Sequence, residues 1–294
     1  MIKPKKLSFE LIAILLVLLC SSVWVYYFGL VKANPSVNTL AKVFFLDIGQ
    51  GDSAVFSLPG SVQILVDAGP DETVLDQLSA VMPPSDRKIE YVFLTHPDLD
   101  HIGGFEYILD SYKIGNLYTT GKRADSRTFQ RISKKIDEKK ISKFEFSAGD
   151  QVEFGEFFSI DVLWPYKDQL DELSSNDSSL IMKFDAPGDA DVMMLADGES
   201  KVLGEISSAN LDAVLKSQIV KASHHGSANG INESLLKKVA AQYAVISVGQ
   251  PNRYGHPSDR TINFYESVSA EILRTDEVGT IEFGLTEKGW ELAN

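Results

Sequence analysis

The sequence predicts an α/β sandwich, two β-sheets with helices outside, preceded by one transmembrane helix. Three observations predict it. From Lys42 onward, short β-branched and aromatic runs alternate with longer helical patterns, which is an α/β layout. No Pro/Gly-rich linker, repeat or low-complexity tract divides that stretch, so it reads as one domain. Ahead of it lies an apolar run from Leu11 to Val31, long enough to cross a bilayer at about 1.5 Å per residue.

The N-terminal ten residues carry Lys3, Lys5 and Lys6, and only Lys32 follows the apolar run closely. The positive-inside rule therefore puts residues 1–10 in the cytoplasm, 11–31 in the membrane and the rest outside: a single-pass protein with a linker at 32–41 and a domain at 42–294. A cleaved signal peptide is the competing reading, with Val31-Lys32-Ala33 as its cleavage pattern; signal h-regions, however, run about 7–15 residues. Cys20 follows Leu19, where a lipoprotein site wants a small residue, so it reads as a side chain buried in lipid.

Composition narrows the chemistry. With 44% hydrophobic and 23% charged residues, disorder is excluded. A net charge of −13 excludes a uniformly basic duplex-coating protein but leaves room for a local basic groove. One cysteine excludes an internal disulfide framework and a multi-cysteine zinc module. Any metal site must use His, Asp, Glu or Asn.

Within the domain, strands are expected at Val43–Leu46, Ala54–Leu58, Ile64–Val66, Tyr91–Thr95, Leu117–Thr119, Leu180–Phe184, Val192–Leu195, Ile219–Lys221, Tyr243–Ser247, Ile272–Arg274 and Thr280–Phe283. Helices are expected at Asp71–Val81, Ile102–Ser111, Ser126–Lys140, Glu199–Ser207, Glu233–Ala240 and Asp259–Ser269.

All five histidines fall in three short clusters just after expected strands. In the first, His96-Pro97-Asp98-Leu99-Asp100-His101, the extended chain sends His96 and Asp98 to one side, while Asp100 is placed to cap the helix from Ile102. Two His and two Asp this close repel and desolvate badly without a cation. Gly103-Gly104 keeps the helix start free of side chains. A lone carboxylate, Asp197, ends the strand Val192–Leu195; in isolation Asp-Gly there is a common turn. The second histidine cluster, Ser223-His224-His225-Gly226-Ser227, leaves a strand in which neighbouring side chains point opposite ways, so either histidine is the candidate ligand. The third lies in a Gly/Pro-rich loop displaying Asn252, Arg253, Tyr254 and His256, a set suited to clamping an anion and moving a proton.

Taken in order, Phe45-Leu46-Asp47-Ile48-Gly49-Gln50-Gly51-Asp52-Ser53, Leu65-Val66-Asp67-Ala68-Gly69, the His-x-Asp-x-Asp-His cluster, Ser-His-His-Gly-Ser and Asn-Arg-Tyr-Gly-His-Pro resemble the metallo-β-lactamase superfamily. Within it the chain is similar to the C-terminal hydrolase domain of the ComEC competence-protein family. The resemblance implies an αββα sandwich with two divalent ions, Zn or Mn. It assigns His96 and Asp98 to one ion, Asp100 and His101 to the other, Asp197 as the bridge, and His224 or His225 to complete the second. Asp100, His256 and Tyr254 become catalytic candidates, and Asp47, Gln50, Asp52, Ser227, Asn252 and Arg253 substrate-binding candidates. Asn176 and Ser178 stand near where many members place a further histidine, and Asp98 replaces a histidine of the usual motif, which makes the site oxygen-rich and favours Mn²⁺ as a candidate.

The expected function is a membrane-anchored, exported, metal-dependent phosphodiesterase or nuclease linked to DNA uptake. Its substrate would be single- or double-stranded DNA; with one transmembrane helix where that family has a polytopic channel region, it would work with a separate channel protein or act independently on extracellular nucleic acid. Nine Lys/Arg against three Asp/Glu between Lys122 and Lys143 form a candidate phosphate-tracking surface. The alternatives are an envelope hydrolase acting on a small ester, lactone or phosphoester, and a non-catalytic binding module.

Overall fold

In a computed structural model, which describes residues 41–209 and 212–293, the alternating runs become two sheets. The first orders its eight strands β15-β14-β1-β2-β3-β4-β5-β6. They are β1 (Lys42–Phe45), β2 (Ala54–Leu58), β3 (Val62–Val66), β4 (Lys88–Leu94), β5 (Lys113–Thr119), β6 (Ser142–Glu145), β14 (Ile281–Thr286) and β15 (Gly289–Leu292). The second orders β13-β12-β11-β10-β9-β8-β7, comprising β7 (Gln151–Phe154), β8 (Phe158–Trp164), β9 (Ile181–Asp185), β10 (Val192–Met194), β11 (Ile219–Lys221), β12 (Tyr243–Ile246) and β13 (Glu271–Arg274). The expected membrane helix at 11–31 and nearly all of the linker lie outside the described residues. Among the described residues, no helix is long and apolar enough to cross a membrane.

Alternation decides which side chains meet. Val43, Phe45, Phe56, Ile64 and Phe93 of the first sheet face Val162, Met182, Phe184, Val192 and Val245 of the second in one buried cluster. The Phe56 and Phe184 rings stack across it with centroids 4.3 Å apart. The opposite face of the first sheet (Leu65, Val92, Leu117) is covered by α1 (Thr73–Val81), α3 (Phe105–Ser111) and α4 (Arg127–Glu138). That of the second (Met193, Val220, Ala244) is covered by α5 (Ser200–Ala209), α7 (Glu233–Val239) and α8 (Asp259–Ser267). The result is the expected αββα layering; the short α6 (Asp212–Leu215) and α9 (Thr275–Val278) add single turns.

Two expectations are corrected. The helix expected at Ile102–Ser111 is instead α2 (Leu99–Ile102) and then α3, each with its own cap at Gly103 or Gly104. A Cβ on Gly103 would lie 2.0 Å from the Pro70 carbonyl oxygen, and one on Gly104 2.1 Å from that of Ala68. Only glycine admits this approach, which docks the His96–His101 segment on the loop after β3. The strands β6, β7, β8 and β15 were not expected. β6 is exposed throughout and β7 largely so, because they end their sheets and bury no clean face.

β3 to β6 run parallel, as do β10 to β13. Their C-terminal ends carry the histidine and aspartate clusters, the edge at which α/β sheets present ligand sites.

Candidate metal centre

Four backbone positions around this edge adopt the left-handed conformation without being glycine: Asp67, Ala196, His224 and His225, with φ of 58°, 44°, 48° and 54°. Each costs about 1–3 kcal/mol and persists only where its surroundings enforce it. At His224 and His225 the chain has left β11 and turned, so the two rings do not diverge as in a strand. Both aim Nε2 at Asp197, at 3.6 Å and 3.8 Å.

Asp197 is the centre of the cluster. The Nε2 of His101 approaches one of its oxygens to 3.2 Å, and that of His96 approaches the other to 3.9 Å. His96 Nε2 also lies 3.8 Å from Asp98, and His225 Nε2 lies 3.2 Å from Asp100. Each ring is oriented from behind through Nδ1. His101 contacts Asp67 at 2.8 Å, His96 the Thr95 hydroxyl at 3.0 Å, and His225 donates to the Ser247 carbonyl at 3.1 Å. Asp67 is itself fixed by the Thr95 amide and hydroxyl at 2.8 Å and 2.7 Å. A second nitrogen so held is what turns imidazole into a directed ligand.

Asp100 stands in the first turn of α2, not at its cap; Asp98 occupies the cap position, without a capping hydrogen bond from its side chain. Asp98 instead accepts a hydrogen bond from Ser175, next to the 3₁₀ turn Asn176–Ser178. That turn thus reaches the cluster through a serine hydroxyl.

The electrostatics are those of a site built for cations. Burial works against a charged His101, yet Asp197 and Asp67 outweigh it and raise its pKa well above the ordinary value. Burial likewise opposes charge on His225, but Asp197 and Asp52 push it up to about 9. His96 is lowered, by burial and by the neighbouring His101. Asp197 is held well below the carboxylate range despite its burial, chiefly by His101 and then His225. Asp100 is lowered too, the His225 hydrogen bond outweighing burial. The surrounding carboxylates thus favour positive charge on His101 and His225.

The donor set fits metal. His96 Nε2, His101 Nε2 and an Asp197 oxygen are buried with no hydrogen-bond partner, an expense a cation would remove. The triads His96–His101–Asp197 and Asp100–His101–His225 each gather their ligand atoms within 4.8 Å. Separations of 3.2–3.9 Å suit two donors on one ion at about 2.0–2.2 Å. The triads share His101, which the resemblance assigns to one ion.

Three of the substrate-binding candidates are engaged within the protein. Asp52 is buried under the cluster, 2.7 Å from Lys221 Nζ and 3.1 Å from His225 Nδ1. Lys221 and then His225 hold its carboxyl down against the burial that would raise it. Ser227 is buried and accepts from the Asn229 amide. Asn252 clasps its own loop, bonding the Gly249 and His256 carbonyls and the His256 amide. The other candidates are half-buried or exposed. Gln50 accepts from the Gly249 amide at 3.4 Å. Asp47 accepts from the Gly49 amide at 3.4 Å. Tyr254 is exposed, stacks on His256 at 5.9 Å and lies under Arg253. His256 is 5.8 Å from His224 by ring centroids, and burial, with His224 and His225, lowers its pKa.

Sequence reasoning missed the supports Thr95, Ser175 and Lys221 and gave Asp67 no role. Lys221 had a signal: a lysine in an apolar strand, 1% exposed here, needs a buried carboxylate.

A family model described as the metallo-beta-lactamase superfamily matches residues 47–250. ComE operon protein 3 of Bacillus subtilis (strain 168) is 26% identical over 269 residues, covering 85% of this chain and 34% of that protein. Competence protein ComA of Neisseria gonorrhoeae is 28% identical over 268 residues, covering 89% and 35%. The chain spans about a third of the length of these relatives. Among solved structures, YhfI from Bacillus subtilis superposes with a TM-score of 0.50 at 17% identity, covering 81% of this chain and 98% of that one. CmlA, a diiron β-hydroxylase from Streptomyces venezuelae, does so with 0.54 at 11%, covering 84% and 55%. These two likenesses show the fold alone.

Proposed function

The chain belongs to the metallo-β-lactamase superfamily of hydrolases, and from that premise we propose that it is a metal-dependent phosphodiesterase or nuclease linked to DNA uptake, anchored by residues 11–31 with its domain outside the cytoplasm. The observation that carries the reading is the extent of its similarity to proteins named for competence, 85% and 89% of this chain. The oxygen-rich donor set, with Asp98, Asp100 and Asp197 beside three or four imidazoles, suits Mn²⁺ as well as Zn²⁺.

Two divalent ions would lower the pKa of water and offset charge developing on a phosphoryl oxygen. The chain's own contribution is orientation. Asp67, Thr95 and the Ser247 carbonyl fix the three imidazoles. Asp98 and Asp100 stand at the open side of the cluster, with side chains 41% and 35% exposed. Arg253 is the candidate clamp for an anionic substrate. His256, whose pKa is lowered by burial and by the neighbouring His224 and His225, is suited to accepting a proton or hydrogen-bonding the leaving oxygen.

The test is Mn²⁺- and Zn²⁺-dependent cleavage of single- and double-stranded DNA by the purified full chain, with Asp100→Ala as control. Cleavage that depends on metal and disappears in the control is the expected result. In His256→Ala, turnover falls about 100-fold with bound metal retained; metal loss would make His256 a ligand. A folded, metal-loaded protein that leaves all DNA intact would shift the assignment to a small ester, lactone or phosphoester of the envelope.

A further inference from the structure

A cavity of about 770 Å³ opens between α4, the C-terminal ends of β4 and β5 and the segment Thr120–Asp125. Its volume falls among those of small-molecule sites, about 300–1,000 Å³. Its lining includes His96 and Pro97, so it adjoins the strand end that carries the cation cluster. Nothing in the hydrolytic centre uses it.

The lining has four chemistries. Leu94, Ile102, Leu117 and Ile132 are buried and apolar, and Phe129 is partly buried against them. Thr119, Gln130 and Ser133 add neutral hydrogen-bonding groups, and Asp125, Asp137 and Glu138 add carboxylates. Arg123 and Lys143 are exposed at the margin, with no carboxylate partner among the described residues. The other two lysines of the lining are engaged: Lys122 Nζ donates to the carbonyls of Leu170, Asp171 and Leu173, and Lys134 lies 3.5 Å from Glu138.

An apolar floor with one aromatic ring accepts a flat ring system, hydrogen-bonding side chains read its edge, and two free cations at the mouth hold an anion attached to it. We propose that this cavity is a nucleotide subsite. It takes the base of a single-stranded chain beside the bond held at the cation cluster, with Phe129 against the ring and Arg123 and Lys143 on the flanking phosphates. The inference rests on the nuclease reading for the substrate class and adds where a base is bound. Duplex DNA would have to yield a base before this subsite fills, so single strands bind more tightly than duplex.

The test is equilibrium binding of a 5′-labelled trinucleotide with nuclease-resistant phosphorothioate linkages to the metal-loaded full chain, followed by anisotropy. Adding Phe129→Leu, which retains apolar volume but removes the ring face, raises Kd about tenfold, the scale of one base–aromatic stack. Arg123→Glu, at an exposed position, raises Kd at least as much and flattens the salt dependence. A trinucleotide with one abasic residue binds about tenfold more weakly to the unaltered cavity and shows no further loss with Phe129→Leu. Unchanged Kd values in both variants, or equal affinity for the abasic and parent trinucleotides, would overturn the subsite. Cleavage by the wild-type chain is scored separately: binding that obeys this pattern without cleavage would keep the subsite and remove the nuclease reading.

Discussion

Two groups of charges in this molecule behave in opposite ways. Under the cation cluster, Asp52, Lys221 and His225 join segments 169 residues apart in sequence, with Lys221 and Asp52 almost wholly buried. On α4, the basic residues that stood out by number lie at the surface, and two of them reach neighbouring α3: Arg131 bonds Glu106, and Lys135 bonds Asp110 and the Glu106 carbonyl. Counting charge finds the second group and overlooks the first. Burial is what differs. In a low-dielectric interior each partner fixes the other's position, whereas exposed pairs exchange with water at little cost.

The largest effect that would sharpen the contrast is at Asp197, which every ligand imidazole approaches. Asp197→Asn should weaken divalent-ion binding by more than the roughly 10–100-fold that outer-shell partners carry, read as metal content after dialysis against a weak chelator. Retention of two ions per chain in that variant would show that Asp197 is not the bridge.

Next comes the support beneath it. Lys221→Met leaves the Asp52 carboxylate buried without its closest cation and should cost about 3–5 kcal/mol in urea denaturation. Asp52→Asn combined with Lys221→Met should recover most of that stability, since a buried pair removed together costs far less than one broken. Metal affinity in the double variant should stay about 10–100-fold down, because His225 has lost its rear carboxylate. If stability and affinity recover together, the pair only holds the sheets.

The same region predicts a pH dependence. His225 in the metal-free chain has its pKa pushed up to about 9, and His101 is also raised. A raised imidazole contributes stability that is complete below its unfolded value near 6.5 and is lost as pH climbs through its folded one. Metal-free protein should therefore lose stability between about pH 6.5 and 9, while metal binding, which displaces those protons, strengthens over the same range. Calorimetry at pH 7 in buffers of different ionisation enthalpy should register at least one proton released per chain on loading. Zero release would mean that both rings are already neutral.

How much of this was legible follows the same division. Ala54–Leu58 and Ile219–Lys221 were read to the residue, whereas Phe158–Trp164 was missed despite its alternating burial. The edge strands Ser142–Glu145 and Gln151–Phe154 were missed because exposure removes the alternation that marks a strand. In the site, His96, Asp98, Asp100, His101, Asp197, His224 and His225 stood out as polar residues clustered at strand ends, and the structure brings them together. The turn that swings both His224 and His225 inward depends on left-handed backbone at two histidines, which no local pattern specifies. Ser227 and Asn252 entered as candidates through the family resemblance; their hydrogen bonds to nearby backbone are visible only once the loops are folded.

The smallest expected effect lies on α4. Its buried face is Ile132 and Ile136, and these apolar contacts, not its ion pairs, secure it to the first sheet. Lys135 and Asp110 meet at 2.6 Å, but the Asp110 side chain is 61% exposed, so water competes for both partners. Lys135→Ala should change stability by about 0.5 kcal/mol or less, with the difference shrinking further as salt rises past the roughly 8 Å screening length of physiological buffer. Ile136→Ala, one residue along and buried, should cost about 2–5 kcal/mol. A Lys135 variant as damaging as the Ile136 one would break the distinction between buried and surface charge, since an exposed pair would then be holding a helix in place.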